Sequence, residues 1–311
     1  MDRFPDFVTL RQIQYFLAAA GFLHFTRAAE SLSVSQPTLS HQIAQLEEQL
    51  GAPLFDRIGK QVRLTESGTL LKNYASRAIR ELEAGRNALS ELEGMLRGKL
   101  RIGVIQSFSR TLLPSILGSF ITRYPGIHLS ILELTGLEIE QRLAAGALDL
   151  GVAFAPTALD GTEVEPILEE QLMLVVGPDS EFAKRKHVRL RELDGKPLVL
   201  LSQNYLTRRL IDKYFEQVGA SPQVVCETNS LEVMLGAIAQ STVATIVSEH
   251  ALLATERYVA IPLRDPIPVR TSALIWPKSS FRSTSARTFA QMMRDRFLKK
   301  PGLAQGRQPR K

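Results

Sequence analysis

A cluster of short polar and amide side chains follows Ser35, and such residues can exchange hydrogen bonds with nucleic-acid bases and phosphates. Pro37 suits the first turn of a helix, where its missing N–H costs nothing, and Gly51 ends that helix after Leu50. An ordinary solvent-facing helix surface is an equally good interpretation of this composition. The exposed side of the predicted helix carries Gln36, Thr38, Ser40, His41, Gln42 and Gln45.

Three cations follow this helix in a pattern typical of a short β-hairpin. Residues 54–65 contain two short stretches with strand character on either side of Gly59. Arg57, Lys60 and Arg63 would then lie along the hairpin, where cations add affinity for a phosphate backbone.

Apolar residues at helical spacing indicate the elements that position this polar surface. The predicted third helix buries Leu39, Ile43, Leu46 and Leu50. Two earlier helices are predicted, from about Thr9 to Ala20, ended by Gly21, and from Thr26 to Leu32. A short helix, a tight turn and a longer helix form the arrangement in which the last helix enters a major groove.

A second group of candidate residues lies where predicted strands pass into helices in the C-terminal two thirds of the chain. Ligands of open α/β sheets bind beyond the carboxyl ends of the strands, at helix N-termini whose free N–H groups favour anions. Hydroxyls at such junctions also cap helices, and either role fits these residues. The candidates are Ser107 and Phe108, Thr135 and Gly136, Ser202, Gln203 and Asn204, with Asn229 as a weaker one.

Strands and helices alternate from Lys99 onward, which favours a parallel sheet covered by helices on both faces. Strands are predicted over 100–105, 127–134, 148–154, 171–176, 198–201, 224–227, 243–247 and 269–276. Helices are predicted over 112–124, 137–145, 206–218, 231–239 and 283–297.

One long helix is predicted from Glu66 to about Leu96, between these two regions. Its apolar residues follow alternating spacings of four and three, the pattern of a coiled coil. A helix packed on its own domain is the alternative. Gly94 and Gly98 would form a hinge to the next domain. The seam consists of Leu71, Ala75, Ala78, Leu82, Gly85, Leu89, Leu92 and Leu96.

The N-terminal motifs resemble those of the LysR-type transcriptional regulators. The matching residues are Phe25 to Ala29, Ser35 to Ser40, Ile43, Leu46-Glu47, Leu50-Gly51, Leu54-Phe55, Arg57, Leu64-Thr65 and Gly68. The resemblance implies base or backbone contacts by Thr26, Gln36, Pro37, Thr38, Ser40 and His41. His41 departs from the arginine often found in the family, and a neutral imidazole cannot form the bidentate hydrogen bonds to guanine that arginine forms. Lys60 likewise replaces a common arginine and still suits a phosphate.

The resemblance also implies the domain organisation. It predicts an α/β protein with an N-terminal all-α winged helix-turn-helix, a long linker helix and a two-lobed effector domain similar to periplasmic solute-binding proteins. The expected boundaries are 1–65 for the DNA-binding domain, 66–98 for the dimerising linker and hinge, 99–300 for the effector domain, and 301–311 for a disordered basic tail. Lobe I would comprise about 99–162 and 267–300, and lobe II about 163–266, with crossovers near Glu163 and Pro266.

The implied partners are double-stranded DNA with dyad symmetry, a small anionic effector, and RNA polymerase if the protein activates transcription. A homodimer or homotetramer in the bacterial cytoplasm, associated with the nucleoid and not with a membrane, is expected. Within the family, several stretches are most similar to a cyanate-responsive regulator; they include 152–156, 198–202 and 74–78.

Composition excludes several other classes of function. The net charge of +6 resides in residues 294–311, which hold seven Lys or Arg and one Asp, so overall charge is no argument for DNA binding. No apolar run approaches the roughly 20 residues of a membrane span. The five histidines are scattered, and no nucleophile elbow, phosphate loop or dinucleotide fingerprint occurs, so we expect no enzyme, metal or cofactor. A solute-binding protein would have no use for the first ninety residues. Cys226, the single cysteine, is expected in the core.

Overall fold

A computed structural model describes residues 8–58, 61–92, 97–253, 257–278 and 282–299. The chain divides into two compact units, Met1–Arg86 and Asn87–Lys311. No helix within these described ranges is long and apolar enough to cross a membrane.

Three helices, a hairpin and the start of a long helix form the first unit. The helices are α1 (Leu10–Phe22), α2 (Phe25–Ser31) and α3 (Gln36–Leu50), followed by β1 (Phe55–Ile58), β2 (Gln61–Leu64) and α4 (Glu66–Leu92). The predicted end of α1 at Gly21 is wrong, because the helix continues to Phe22 and Leu23 takes the left-handed conformation, with φ of 48°. The strands pair antiparallel from Phe55 opposite Leu64, as the predicted hairpin requires.

A single core holds this unit together. It contains Phe16, Leu39, Ile43, Leu46, Leu54 and Phe55, among others. The Phe55 ring packs edge-on against Phe16 and Phe25, with centroids 5.6 and 5.3 Å apart. The Glu47 carboxylate of α3 accepts hydrogen bonds from the backbone N–H groups of Leu54 and Phe55, at 2.7 and 3.1 Å. The hairpin is therefore fixed to α3 by both packing and hydrogen bonds.

A mixed sheet with helices on its faces forms the second unit. Its strands are β3 (Gly98–Val104), β4 (Ile127–Glu133), β5 (Leu150–Ala155), β6 (Thr162–Val176), β7 (Val188–Arg189), β8 (Pro197–Leu201), β9 (Gln223–Thr228), β10 (Ala244–Ser248), β11 (Val259–Arg264) and β12 (Val269–Pro277). Its helices are α5 (Gln106–Thr111), α6 (Leu113–Arg123), α7 (Gly136–Ala144), α8 (Leu206–Val218), α9 (Leu231–Ile238) and α10 (Thr284–Lys299), with short 3₁₀ helices at Leu190–Leu193 and Glu249–Ala251.

The sheet has two halves, here called lobe I and lobe II. The strand order is β4-β3-β5-β12-β6-β10-β8-β9, with β11 beside β6 and β7 beside β11. Strand β6 belongs to both halves, because residues 162–171 pair with β12 and residues 172–176 pair with β10. The first crossover therefore lies at Gln171/Leu172, not near Glu163 as expected, since β6 is one continuous strand. Each lobe has its own apolar core.

The predicted fold class is confirmed, with several local differences. The sheet is mixed, since β6 and β12 pair antiparallel where only parallel strands were expected. The predicted helix over 112–124 is α6, and a separate short helix, α5, precedes it where none was predicted. Gly98 lies within β3, paired with Ile127, and the other predicted hinge residue, Gly94, lies outside the described residues. Cys226 is exposed, not buried, because β9 is the last strand of the sheet.

Candidate nucleic-acid interface and ligand cavity

The N-terminal turn of α3 presents a polar surface to solvent. Ser35 caps the helix by accepting the Thr38 N–H at 3.3 Å, and Pro37 occupies the first turn. The Gln36 amide donates to the Ser40 hydroxyl at 2.8 Å, one helical turn further on. Because these hydrogen bonds lie within the exposed surface, the same groups can exchange them for bonds to a nucleic acid.

Most of the residues predicted to contact nucleic acid surround this surface. Thr26, Gln36, Pro37, Thr38, His41 and Arg63 are exposed, and Ser40 and Gln42 are half-buried. Arg57 belongs to β1, but its side chain lies outside the described residues, as does all of Lys60. Thr26 lies on α2 and Arg63 on β2, so three elements of one packed unit carry the set.

A cavity of about 410 Å³ lies between the two lobes. Its walls are largely apolar, as is usual for small-molecule sites. The apolar lining includes Ile105, Leu137, Phe154, Pro156, Ala158, Leu201, Leu206, Leu231, Val247 and Ala251. The polar lining includes Gln106, Ser107, Glu140, Thr157, Tyr205, Thr207, Arg209, Ser248 and Arg270.

Two groups in this cavity have unused hydrogen-bonding capacity. Among the described residues the buried Ser107 hydroxyl has no hydrogen-bond partner, although buried polar groups are normally paired. Helix α8 begins at the cavity with Leu206 and Thr207, and no side chain caps it. Free N–H groups and the helix dipole together make such an N-terminus favourable for an anion.

A buried ion pair forms part of the cavity wall. The Arg270 guanidinium donates to the Glu170 carboxylate through Nε and Nη2, at 3.2 and 3.0 Å, and to the Thr207 hydroxyl through Nη1 at 2.7 Å. Glu170 is completely buried and also accepts hydrogen bonds from Ser248 and Ser272. Burial lowers the pKa of the Arg270 guanidinium, and the Glu170 carboxylate opposes that effect.

The phenol of Tyr205, the N-cap residue of α8, lies in the electrostatic field of nearby carboxylates. Burial raises the pKa of the Tyr205 phenol, and the carboxylates of Glu138 and Glu133 raise it further. The phenol therefore stays protonated at neutral pH and donates to the Asn229 carbonyl at 2.9 Å.

Helix α5 of lobe I is hydrogen-bonded to lobe II beside the cavity. The Gln106 side chain donates to the Asn229 carbonyl at 2.9 Å and accepts from the Leu231 N–H at 3.0 Å. Thr111 donates to the His250 carbonyl at 2.7 Å. A ligand that changes the position of α5 would therefore change the contact between the lobes.

The structure brings some of the predicted ligand residues to the cavity and not others. Ser107 and Gly136 line it. Phe108 is a core residue that packs against the rings of Phe154 and Phe297, and Thr135 caps α7 in a reciprocal pair with Glu138. Ser202, Gln203, Asn204 and Asn229 are not among the lining residues, although the Asn229 carbonyl is bonded to two residues that are.

Arg270 and Glu170 were missed by sequence reasoning. A signal was available, because Arg270 is a single cation at the start of the apolar strand Val269–Pro277. A cation in such a strand needs a buried partner, and that requirement points to a site.

Comparisons with known proteins cover nearly the whole chain. Residues 10–69 match the model of the bacterial regulatory helix-turn-helix proteins of the lysR family, and residues 93–298 match the LysR substrate binding domain. The hydrogen peroxide-inducible genes activator of Haemophilus influenzae is 30% identical over 89% of this chain and 93% of its own.

Two solved structures share the fold over most of the chain. Full-length OxyR of Pseudomonas aeruginosa superposes with a TM-score of 0.74 at 22% identity, covering 97% of this chain and 99% of its own. Full-length CbnR in complex with its target DNA has a TM-score of 0.65 at 22% identity, covering 93% and 100% of the two chains.

Proposed function

The chain belongs to the LysR family of transcriptional regulators, and from that premise we propose that it reads dyad-symmetric DNA as a dimer or tetramer under the control of a small anion. A DNA-binding helix-turn-helix and an effector-binding domain are the family's two working parts. The family consists of regulators, and no group of three or more His, Cys, Asp or Glu side chains in the described ranges could hold a metal ion.

We propose that α3 carries the sequence-specific contacts. Gln36, Thr38, Ser40, His41 and Gln42 are its candidate base or phosphate contacts, with Pro37 packing at the helix start and Thr26 on α2. Arg57, Lys60 and Arg63 of the hairpin would bind phosphates and add affinity without specificity.

We propose that α4 pairs two chains. Leu82 and Leu89 of the predicted seam are 58% and 66% exposed, and Tyr74 beside it is 60% exposed. Large apolar side chains at heptad spacing are stabilised when a second helix covers them. Two readers joined in this way would occupy two half-sites.

The unpartnered Ser107 hydroxyl is the observation that carries the effector proposal. Ser107 lines the same cavity as the uncapped N-terminus of α8, so an anion there would gain a hydroxyl donor and free N–H groups together. Gly136 lines the same cavity. The other predicted residues do not line it and would act only through residues that do; they are Thr135, Ser202, Gln203, Asn204, Asn229 and Phe108. The expected similarity to a cyanate-responsive regulator is not shown by the comparisons, and cyanate is one anion to test.

The domain division expected above is proposed with one change, the crossover at Gln171/Leu172. Effector binding would close or reorient the lobes and so move the paired readers, because the cavity lies between the lobes.

RNA polymerase is a further partner if the protein activates transcription, and the cytoplasm is its proposed location. An internal disulfide switch is excluded, since the chain has one cysteine.

Selection of bound duplexes from a random library, followed by DNase footprinting, tests the proposal. We expect enrichment of a sequence with dyad symmetry and a footprint over two half-sites. A footprint that a thermally stabilising anion leaves unchanged would contradict the switch. Failure to enrich any sequence would contradict specific reading.

A further inference from the structure

We propose that Arg270 is a second recognition group for the effector and selects a neutral hydrogen-bond acceptor, such as a ketone or amide carbonyl, on the anion that the cavity binds. The inference rests on the anion site proposed above. It assigns the effector to a chemical class, an oxo or amido monocarboxylate with an apolar body. The argument depends on the unused N–H groups of Arg270, on its charge balance and on its place in the sheet.

Arg270 has more N–H donors at the cavity than its protein partners use. A guanidinium carries five N–H groups, and the bonds to Glu170 and Thr207 use three of them. Within the described part of the chain the other two have no acceptor. Arg270 is 7% exposed and lines the cavity, so bulk water does not satisfy these groups well. Buried donors without acceptors carry a desolvation cost that a ligand acceptor would remove.

The charge of Arg270 is already balanced. Glu170 is fully buried and holds Nε and Nη2, and the guanidinium carbon also lies 3.7 Å from the centroid of the Phe154 ring. A second carboxylate at this point would face Glu170, and the other arginine of the lining, Arg209, is exposed to solvent. A carbonyl oxygen would accept the free N–H groups and bring no charge. The pair therefore favours a neutral acceptor over a second anion.

The position of the Arg270–Glu170 pair in the sheet also couples ligand binding to the connections between the lobes. Arg270 and Glu170 are direct cross-strand partners on β12 and β6. Glu170 is two residues before Leu172, where β6 changes its partner from β12 to β10, and Arg270 follows the segment that returns the chain to lobe I. A ligand bound to Arg270 thus acts on both connections between the lobes.

Isothermal titration calorimetry of the full-length protein with three matched acids tests the proposal. Pentanoate has no second acceptor, 4-oxopentanoate has a neutral one, and glutarate has a second anion. Heptanoate, 6-oxoheptanoate and pimelate repeat the comparison at a longer spacing. We expect one oxo acid to bind about 10-fold more tightly than its alkyl counterpart, the worth of a hydrogen bond to a charged group, and more tightly than the diacid.

A double variant, Glu170→Gln with Arg270→Met, removes the donor without leaving an unpaired buried charge. It should retain alkyl-acid binding and lose the preference for the oxo acid. Arg270→Lys, which keeps the charge but not the planar N–H edge, should reduce the preference and serves if the double variant does not fold. The matched control is Glu165→Gln with Arg294→Met, an ion pair that does not line the cavity. It should leave the preference unchanged.

Three results would overturn the inference alone: equal binding of alkyl and oxo acids at both spacings, tighter binding of the diacids, or an oxo preference that survives in the double variant. If none of the acids binds, the proposed anion site is wrong and this inference fails with it. DNA selection by the same preparation then shows separately whether the regulator function stands.

Discussion

Replacing Ser107 by alanine should stabilise the ligand-free protein while weakening its binding of anions. Ser107 is 7% exposed and its hydroxyl has no hydrogen-bond partner in the described part of the chain, so the folded state bears its desolvation cost without a compensating bond. That cost is about 1–3 kcal/mol for a neutral buried group, and we expect a gain of about 1 kcal/mol on its removal. For a unit of this size the gain corresponds to a rise of roughly 2–4 °C in the midpoint of thermal unfolding.

Ser272→Ala is the matched control, since Ser272 is also buried but donates to Glu170. It should lower the unfolding free energy by about 2 kcal/mol, because a buried carboxylate loses a donor. Calorimetric unfolding of dialysed protein measures both variants, and titration with pentanoate measures binding. Ser107→Ala should weaken pentanoate binding about 10-fold. If Ser107→Ala were as destabilising as Ser272→Ala, the Ser107 hydroxyl would have a structural partner and the effector argument would be refuted.

Further predictions concern the first unit, the linker and an ion pair. Gly68→Ala should destabilise the first unit by about 3 kcal/mol in urea unfolding, because its Cβ would lie 2.0 Å from the Leu54 carbonyl oxygen. The control Gly21→Ala has open space around its Cβ and should be neutral or stabilising in the same measurement. Changing Leu82 and Leu89 together to lysine should shift the mass in light scattering toward the monomer, and an unchanged mass would mean that α4 does not pair chains. The Arg294 guanidinium lowers the pKa of the Glu165 carboxyl, against the effect of burial, so the charged carboxylate stabilises the fold above its ordinary pKa and this contribution is lost as pH falls. Glu165→Gln should therefore lower the unfolding free energy at pH 7 by about 1 kcal/mol or less, and this deficit should shrink as pH falls below the ordinary pKa of glutamate. A deficit that stays the same size as pH falls would contradict the assigned cause.

Local patterns were sufficient to predict most elements of the fold. The helix predicted over 206–218 has the observed bounds of α8, because its apolar period marks the helix and Gly219 marks its end. Helix α5 was missed because six residues are too few to show a period. The exposure of Cys226 depends on β9 being an edge strand, and strand order is a long-range property that local sequence does not contain.

The candidate site was less predictable than the fold. Ser107 was found because a hydroxyl after a strand is a local signal. Arg270 and Glu170 were missed because they are 100 positions apart and are joined only by the register of β6 and β12. Thr135 satisfied the same local rule as Ser107, yet its hydroxyl pairs with Glu138 and caps α7. Local rules thus identified the junctions, while tertiary packing decided which hydroxyls stayed free.

Sequence-specific reading of DNA by α3 is tested most directly by the affinity of Gln36→Ala for a selected duplex and for a scrambled one. Gln36 is exposed, and within the described residues its amide is bonded only to Ser40 on the same surface, so the substitution should leave the fold intact. Binding measured by fluorescence anisotropy at fixed salt should weaken about 10-fold or more on the selected duplex and remain unchanged on the scrambled one. Equal losses on both duplexes, or no loss on either, would contradict the assignment of α3 as the reading helix.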